Sequence, residues 1–260
     1  MLNRSPLSNL IECWRVCRFD TPPFILPDDE SEIPDNMRSL YQSFDEFIVG
    51  DKFGQIEDKS LHVGLLPIPY IGNLSGASVF ILMLNPGLSP GDYFAEQGNS
   101  EFKEAHLRNL RQENGGDEFP FFFLDPLFSW HPGFEYWQGK VYDIALAFMR
   151  KEQVTYQDAL KRIARNIACL ELMPYHSKAF GAGSLLKRLT STKLMLEYAQ
   201  DIVIPKARSG DATVIVTRGA RHWDLDSHRN VVVYESSAVR SAHLTLKSPG
   251  GKAIAKQLGL

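Results

Sequence analysis

Residues 79–89 read Val79-Phe80-Ile81-Leu82-Met83-Leu84-Asn85-Pro86-Gly87-Leu88-Ser89, an apolar run that stops at a turn sequence. Six apolar residues make a strand, and the lack of alternation says both of its faces are buried, as at the centre of a parallel sheet. Three more runs, Ile167–Met173, Ala212–Thr217 and Asn230–Tyr234, have strand character. Helical patterns at Trp137–Lys151, Tyr156–Asn166 and Thr192–Ile204 lie among them, and a last helix over Gly251–Leu258 closes the chain. Strands alternating with helices predict an α/β sandwich with a parallel sheet. The expected organisation is one α/β domain over 61–260, with residues 1–60 as an N-terminal extension packed on it.

Upstream of the first strand the chain is irregular. Asp20–Asp35 holds four prolines and six acids and reads as an acidic surface arm, and residues 51–78 are rich in Gly and Pro. The 260-residue chain is 44% hydrophobic and 23% charged, which excludes a disordered or collagenous protein. No apolar run approaches the roughly 20 residues of a membrane span, and Met1–Leu10 carries no apolar signal core. The expectation is a cytoplasmic protein with no membrane partner, acting as a monomer. Cys13, Cys17 and Cys169 are an odd set. They read as buried thiols rather than a disulfide or metal framework, so no metal or cofactor is expected. Residues 1–150 carry a net charge of −11 and residues 151–260 a net charge of +8. Such asymmetry fits either an anionic partner for the C-terminal part or two faces that attract each other within one fold.

In open α/β sheets ligands bind beyond the carboxyl ends of the strands, so the loops to inspect begin at Asn85, Pro174, Arg218 and Ser236. Asn85-Pro86-Gly87 is both a common tight strand exit and a loop whose glycines let backbone approach a ligand. In the second loop, Tyr175-His176-Ser177-Lys178, His176 suits a base edge, a leaving oxygen or a phosphate, or simply a bond to loop backbone. Arg218 and Arg221 are candidates for phosphate contacts. His222, Asp224, Asp226 and His228 resemble a metal cluster in composition, yet their close spacing in a polar turn reads as a solvated loop. Pro249-Gly250-Gly251-Lys252 opens the last helix and suits a backbone phosphate or a plain turn. Leu246 and Ala253 exclude a Walker A loop there.

Asn85-Pro86-Gly87-Leu88-Ser89 after an apolar strand resembles the first motif of the uracil-DNA glycosylase superfamily, closest to its mismatch-specific uracil/thymine branch. Phe128-Ser129-Trp130-His131-Pro132 followed by Tyr136-Trp137 is similar to a second run of that branch. Leu66-Pro67-Ile68-Pro69-Tyr70-Ile71-Gly72-Asn73 resembles a lead-in of uncharacterised bacterial members, and the likeness spans roughly Leu65–Leu258. The resemblance implies a three-layer α/β/α sandwich around a mainly four-stranded parallel sheet. It implies that Asn85 positions the attacking water and that backbone near Pro86, Gly87, Leu88 and Ser89 contacts the flipped base. Phe128 or Trp130, or else Tyr93 or Phe94, would stack on that base. Met83 stands where the motif has Gly. The family's last motif, His-Pro-Ser or Asn-Pro-Ser after the fourth strand, is replaced here by Ser236-Ser237-Ala238-Val239-Arg240-Ser241-Ala242-His243, in which Ser236 and Ser237 sit at the expected strand end, Arg240 suits a wedge or a phosphate, and His243 is a further candidate DNA contact.

The function expected from this reading is a metal-independent DNA glycosylase of DNA repair, flipping a damaged, mismatched or modified pyrimidine out of DNA. Asn85 and His176 are its catalytic candidates. Arg218, Arg221, Ser236, Ser237, Arg240, His243 and Lys252 are its DNA contacts. The alternatives are a non-catalytic reader of modified bases and an enzyme acting on free nucleosides or nucleotides.

Overall fold

A computed structural model describes residues 4–234 and 244–260 of the chain. Two short strands, β1 (Arg38–Ser39) and β2 (Leu61–His62), pair in parallel with Arg38 opposite Leu61. The main sheet holds β3 (Tyr70–Ile71), β4 (Val79–Met83), β5 (Ile167–Glu171), β6 (Thr213–Val216) and β7 (Val231–Val233). Their spatial order is β3-β5-β4-β6-β7. The helices are α1 (Pro6–Arg15), α2 (Pro27–Glu30), α3 (Phe44–Val49), α4 (Pro90–Gly98), α5 (Ser100–Leu110), α6 (Pro132–Glu152), α7 (Tyr156–Asn166), α8 (Thr190–Tyr198), α9 (Ile204–Ser209), α10 (Ala220–Trp223) and α11 (Pro249–Gln257). Among the described residues no helix is long and apolar enough to cross a membrane.

The fold is mixed α/β, and β4 lies at the centre as its uniform apolarity requires. It pairs in parallel with β5 on one side and β6 on the other, and β7 continues the parallel run. The expectation of four parallel strands is corrected at one edge. Tyr70–Ile71 runs antiparallel to β5, with Tyr70 opposite Leu170, which makes a mixed sheet of five strands. Two residues are too short to carry a periodicity, and the strand is held instead by distant side chains. Asn109 Nδ2 donates to Tyr70 O at 2.8 Å, and Asn109 Oδ1 accepts from Gly72 N at 2.9 Å.

Alternate residues of the strands enter two separate cores, as a period of two demands. Phe80, Leu82, Ala168, Leu170, Val214 and Val216 join Leu10 and Trp14 of α1 and Met195 and Tyr198 of α8. Val79, Ile81, Met83, Cys169 and Ile215 join Trp137, Ile144 and Phe148 of α6, Ile163 of α7 and Ile254 of α11. The N-terminal residues therefore pack as core. Asp29 is fully buried, accepting from Tyr175 Oη at 2.8 Å and from Ser191 N at 3.1 Å.

Several helix bounds move for local reasons. α6 starts five residues before the expected Trp137 because His131 caps it, its Nδ1 accepting from Gly133 N at 2.9 Å, with Pro132 at the first position. The helix expected over Thr192–Ile204 begins at Thr190 and continues to Ser209 through a π-turn at Ala199–Val203. Pro205 lacks an N–H and its ring crowds the preceding turn, which widens the helix there.

Candidate active site

The parallel strands run β5-β4-β6-β7 in space but β4, β5, β6, β7 in sequence, so the connection after β4 runs to one side and the connection after β6 to the other. That reversal opens a crevice at the carboxyl ends of the strands. A cavity of about 350 Å³ lies there, lined by the loop after β4, the loop after β5, Arg218 after β6, and the first turns of α4 and α6.

The end of β4 is tied down from three sides. Trp223, fully buried, donates Nε1 to Met83 O at 2.9 Å. Thr217 N donates to Leu82 O at 3.0 Å, and Met173 N to Leu84 O at 2.9 Å. Asn85 follows, 6% exposed and lining the cavity. Its Nδ2 donates to Ser177 O at 3.2 Å and to Ser177 Oγ at 3.1 Å. A carbonyl oxygen accepts only, so this contact fixes which end of the amide is which. Asn85 Oδ1 takes no hydrogen bond among the described residues. Gly87 adopts φ +77°, a left-handed value that favours glycine, and turns the chain toward α4. The N–H groups of Gly87 and Leu88 likewise find no partner among the described residues, whereas Ser89 N donates to Asp92 Oδ2 at 2.6 Å. Ser89 Oγ caps α4 by accepting from Gly91 N at 3.2 Å. One lone pair of its hydroxyl oxygen is therefore taken by the helix.

His176 lines the cavity too, 2% exposed, but both ring nitrogens face backbone carbonyls. Nδ1 lies 3.0 Å from Gly87 O and Nε2 lies 3.2 Å from Leu66 O. A neutral ring donates to one of these oxygens, and a doubly protonated ring donates to both. His176 thus clamps the Gly87 turn to the segment before β3, a positioning role.

Two carboxyl groups line the cavity, and their surroundings drive them apart. Burial pushes Asp92 up, but a contact from His131, the charge of nearby His176 and the Ser89 N–H outweigh it, and the carboxyl is held below its ordinary range. His131 Nε2 lies 3.4 Å from Asp92 Oδ1, an ion-pair distance rather than an aligned hydrogen bond. Glu171, the last residue of β5 and 3% exposed, has the opposite fate. Burial pushes it up to about 8, against the pull of Cys169 and Arg218. Its Oε1 lies 3.6 Å from Cys169 Sγ, and its Oε2 is buried without a hydrogen-bond partner among the described residues. Divergent carboxyl groups in one pocket are the arrangement from which acid and base roles are built.

The aromatic wall differs from the one expected. Phe123, Tyr136 and Trp137 line the cavity. Tyr93 is fully buried elsewhere, stacked on Phe47 at 4.5 Å with its hydroxyl 3.1 Å from His62 Nδ1. Phe128, 2% exposed, packs edge-on against Phe102 at 5.3 Å. Trp130 is 43% exposed and sits against Phe94 at 6.1 Å, outside the lining. Tyr136 carries the Lys140 ammonium 4.8 Å over its ring.

Of the expected phosphate contacts, Arg218 lines the cavity and is exposed, with no ion pair among the described residues. Lys178 joins it, its Nζ 3.4 Å from Leu88 O. Arg221 leaves the lining and donates Nε to His222 Nε2 at 3.1 Å. Lys252 lies on α11, away from the cavity lining, and the glycines before it are explained by packing. A Cβ on Gly251 would stand 1.9 Å from Thr245 O, and Gly250 N already donates to Tyr234 Oη at 3.0 Å. Ser236, Ser237, Arg240 and His243 lie outside the described residues.

Sequence reasoning did not single out Glu171. The signal was a lone acid inside Ile167-Ala168-Cys169-Leu170-Glu171-Leu172-Met173, where a charge is out of place in a buried strand. Tyr136 stood within the second run likened to the family and Asp92 three residues beyond the first, but their direction depends on how α4 and α6 meet. Set against protein-family models, curated proteins and solved structures, the chain finds no match.

Proposed function

We propose that the chain is a DNA glycosylase that hydrolyses the N-glycosidic bond of a flipped-out damaged, mismatched or modified pyrimidine, on a three-layer α/β/α sandwich of the uracil-DNA glycosylase kind. The observation that carries this reading is Asn85: a buried amide anchored through its nitrogen, with its oxygen unpartnered among the described residues at a base-sized cavity.

In this mechanism the C1′–N bond breaks with its electron pair leaving on the base, and positive charge grows on the sugar. Asn85 Oδ1 accepts a hydrogen bond from water and aims the water oxygen at C1′. An amide is too weak a base to take the proton outright, so water captures a sugar that is already largely cationic and the proton passes to solvent. The Gly87 and Leu88 N–H groups are free to meet negative charge on the departing base, as preorganised donors do in a closed site. The Asp92 carboxylate, in the same wall, favours the positive charge on the sugar. Arg218 and Lys178 suit the phosphates flanking the flipped nucleotide. No step needs a metal or a cofactor, and the protein acts as a monomer on single- or double-stranded DNA.

The test is an abasic-site assay. Labelled single- and double-stranded oligonucleotides carry uracil, a thymine mismatch, or hydroxymethylated or glucosylated cytosine, and alkali cleaves any abasic product. Cleavage on one substrate that is lost in Asn85→Ala supports the reading and names the base. Cleavage unchanged in Asn85→Ala removes Asn85 from the mechanism. Salt-sensitive binding without cleavage on any substrate replaces the glycosylase with a non-catalytic reader.

A further inference from the structure

Glu171 Oε2 is a buried carboxyl oxygen in the wall of a cavity with no partner among the described residues, and native proteins rarely leave such a group without a water, an ion or a ligand to complete it. The residue sits opposite Met83 in the register of β5 on β4, two residues along the neighbouring strand from Asn85. A neutral carboxyl group presents one O–H donor and one carbonyl acceptor side by side, whereas a carboxylate presents acceptors alone. The hydrogen-bonding edge of a pyrimidine also carries a donor beside an acceptor, in one order for cytosine-like bases and the reverse for uracil-like ones. We infer that the Glu171 carboxyl group reads this edge by giving one hydrogen bond to the base and accepting another from it.

The inference rests on the reading that a base enters this cavity. The groups acting on Glu171 are Cys169 on its own strand, Tyr136 on α6 and Arg218 after β6; Asp92, His176 and Lys178 line the same cavity, and the Lys140 ammonium stands over the Tyr136 ring. Arg218 pulls toward ionisation, but burial prevails and the proton stays on until about pH 8. The donated bond strengthens as the base takes on negative charge, so the same proton that selects the edge stabilises the departing base. Above about pH 8 the neutral fraction, and with it the recognition, falls about tenfold per pH unit.

Affinity for free uracil and free cytosine, used as probes, and single-turnover base release are measured from pH 6 to pH 9 in wild type, Glu171→Gln and Glu171→Leu. Gln keeps one donor and one acceptor without a titrating proton, and comparison with it cancels titration of the probe. The expected result is an alkaline loss in wild type, no such loss in the Gln variant, and at least a tenfold weaker affinity in the Leu variant at pH 7. An alkaline limb that persists in the Gln variant, or full affinity in the Leu variant, overturns the inference. Base release that depends on Asn85 but is indifferent to Glu171 also overturns it, while leaving the glycosylase reading in place. Probe binding with the expected pattern but no base release supports Glu171 and removes the catalytic reading. Absence of both binding and release removes both.

Discussion

Ser177→Ala tests whether the aim of Asn85 is built by its neighbours. The substitution deletes one of the two acceptors of Asn85 Nδ2, the hydroxyl at 3.1 Å, and keeps the carbonyl at 3.2 Å. A neutral hydrogen bond contributes about 0.5–1.5 kcal/mol net, and the remaining carbonyl still repels the amide oxygen. The amide therefore keeps its orientation but is held more loosely. If the loss falls wholly on positioning in the transition state, base release slows about two- to tenfold. Global stability drops by no more than about 1.5 kcal/mol, roughly 3–6 °C in a chain of this size. Single-turnover base release at saturating protein, alongside a thermal melt, separates the two effects. A rate loss matching that of Asn85→Ala would show Ser177 to be a reacting group in its own right. A rate within error of wild type would refute the claim that this contact orients Asn85.

Tyr93→Phe should leave base release unchanged and cost about 1–3 kcal/mol in chemical denaturation, because it strips the buried His62 Nδ1 of its partner at 3.1 Å. A rate loss without a stability loss would return Tyr93 to the site. Gly251→Ala should destabilise by about 3 kcal/mol or more, since the new Cβ meets backbone at Thr245 rather than a side chain that can yield. Lys252→Ala should leave both stability and the salt dependence of DNA binding unchanged, and a salt slope smaller by about one would instead mark a phosphate contact. Glu171 links stability to pH. The native carboxyl keeps its proton to about 8, while the unfolded chain releases it near 4.5, so between those values the native state binds more protons. Wild type should then lose up to about 1.4 kcal/mol per pH unit relative to Glu171→Gln as pH rises through that window, and level off above it. Parallel melting curves of the two proteins that do not diverge would show Glu171 to be ionised in the native state.

Much of the architecture was legible in runs of sequence. Val79–Met83, Ile167–Glu171, Thr213–Val216 and Val231–Val233 all fall within the stretches expected as strands, and α7 matches its expected bounds, Tyr156–Asn166. These are elements whose burial is continuous or strictly periodic, so each one carries its own signal. From them followed the carboxyl-end loops, and hence the placing of Asn85, His176 and Arg218 together at one cavity. Tyr70–Ile71 carried no such signal, because its strand identity comes from pairing with Leu170 and Cys169 and from Asn109, which is far along the chain.

The interior of the site was decided by packing. Phe123, Phe128, Trp130 and Tyr136 lie within one short segment and read alike as aromatics. Which of them faces the cavity depends on how the first turn of α6 meets α5 and the end of β4. His176 read either as a contact to a base, a leaving oxygen or a phosphate or as a bond to loop backbone, and the fold brought the carbonyls of Gly87 and Leu66 to its two nitrogens. Glu171 looked like one more charge until the fold placed β5 between β3 and β4 and buried the end of the strand, removing its water. By itself the sequence determined the order of the core strands β4 to β7, the helices between them and the loops at the carboxyl ends of those strands. Only the tertiary structure decided which side chains turn into that edge and in what protonation state, because orientation and desolvation arise from contacts between residues far apart in the chain.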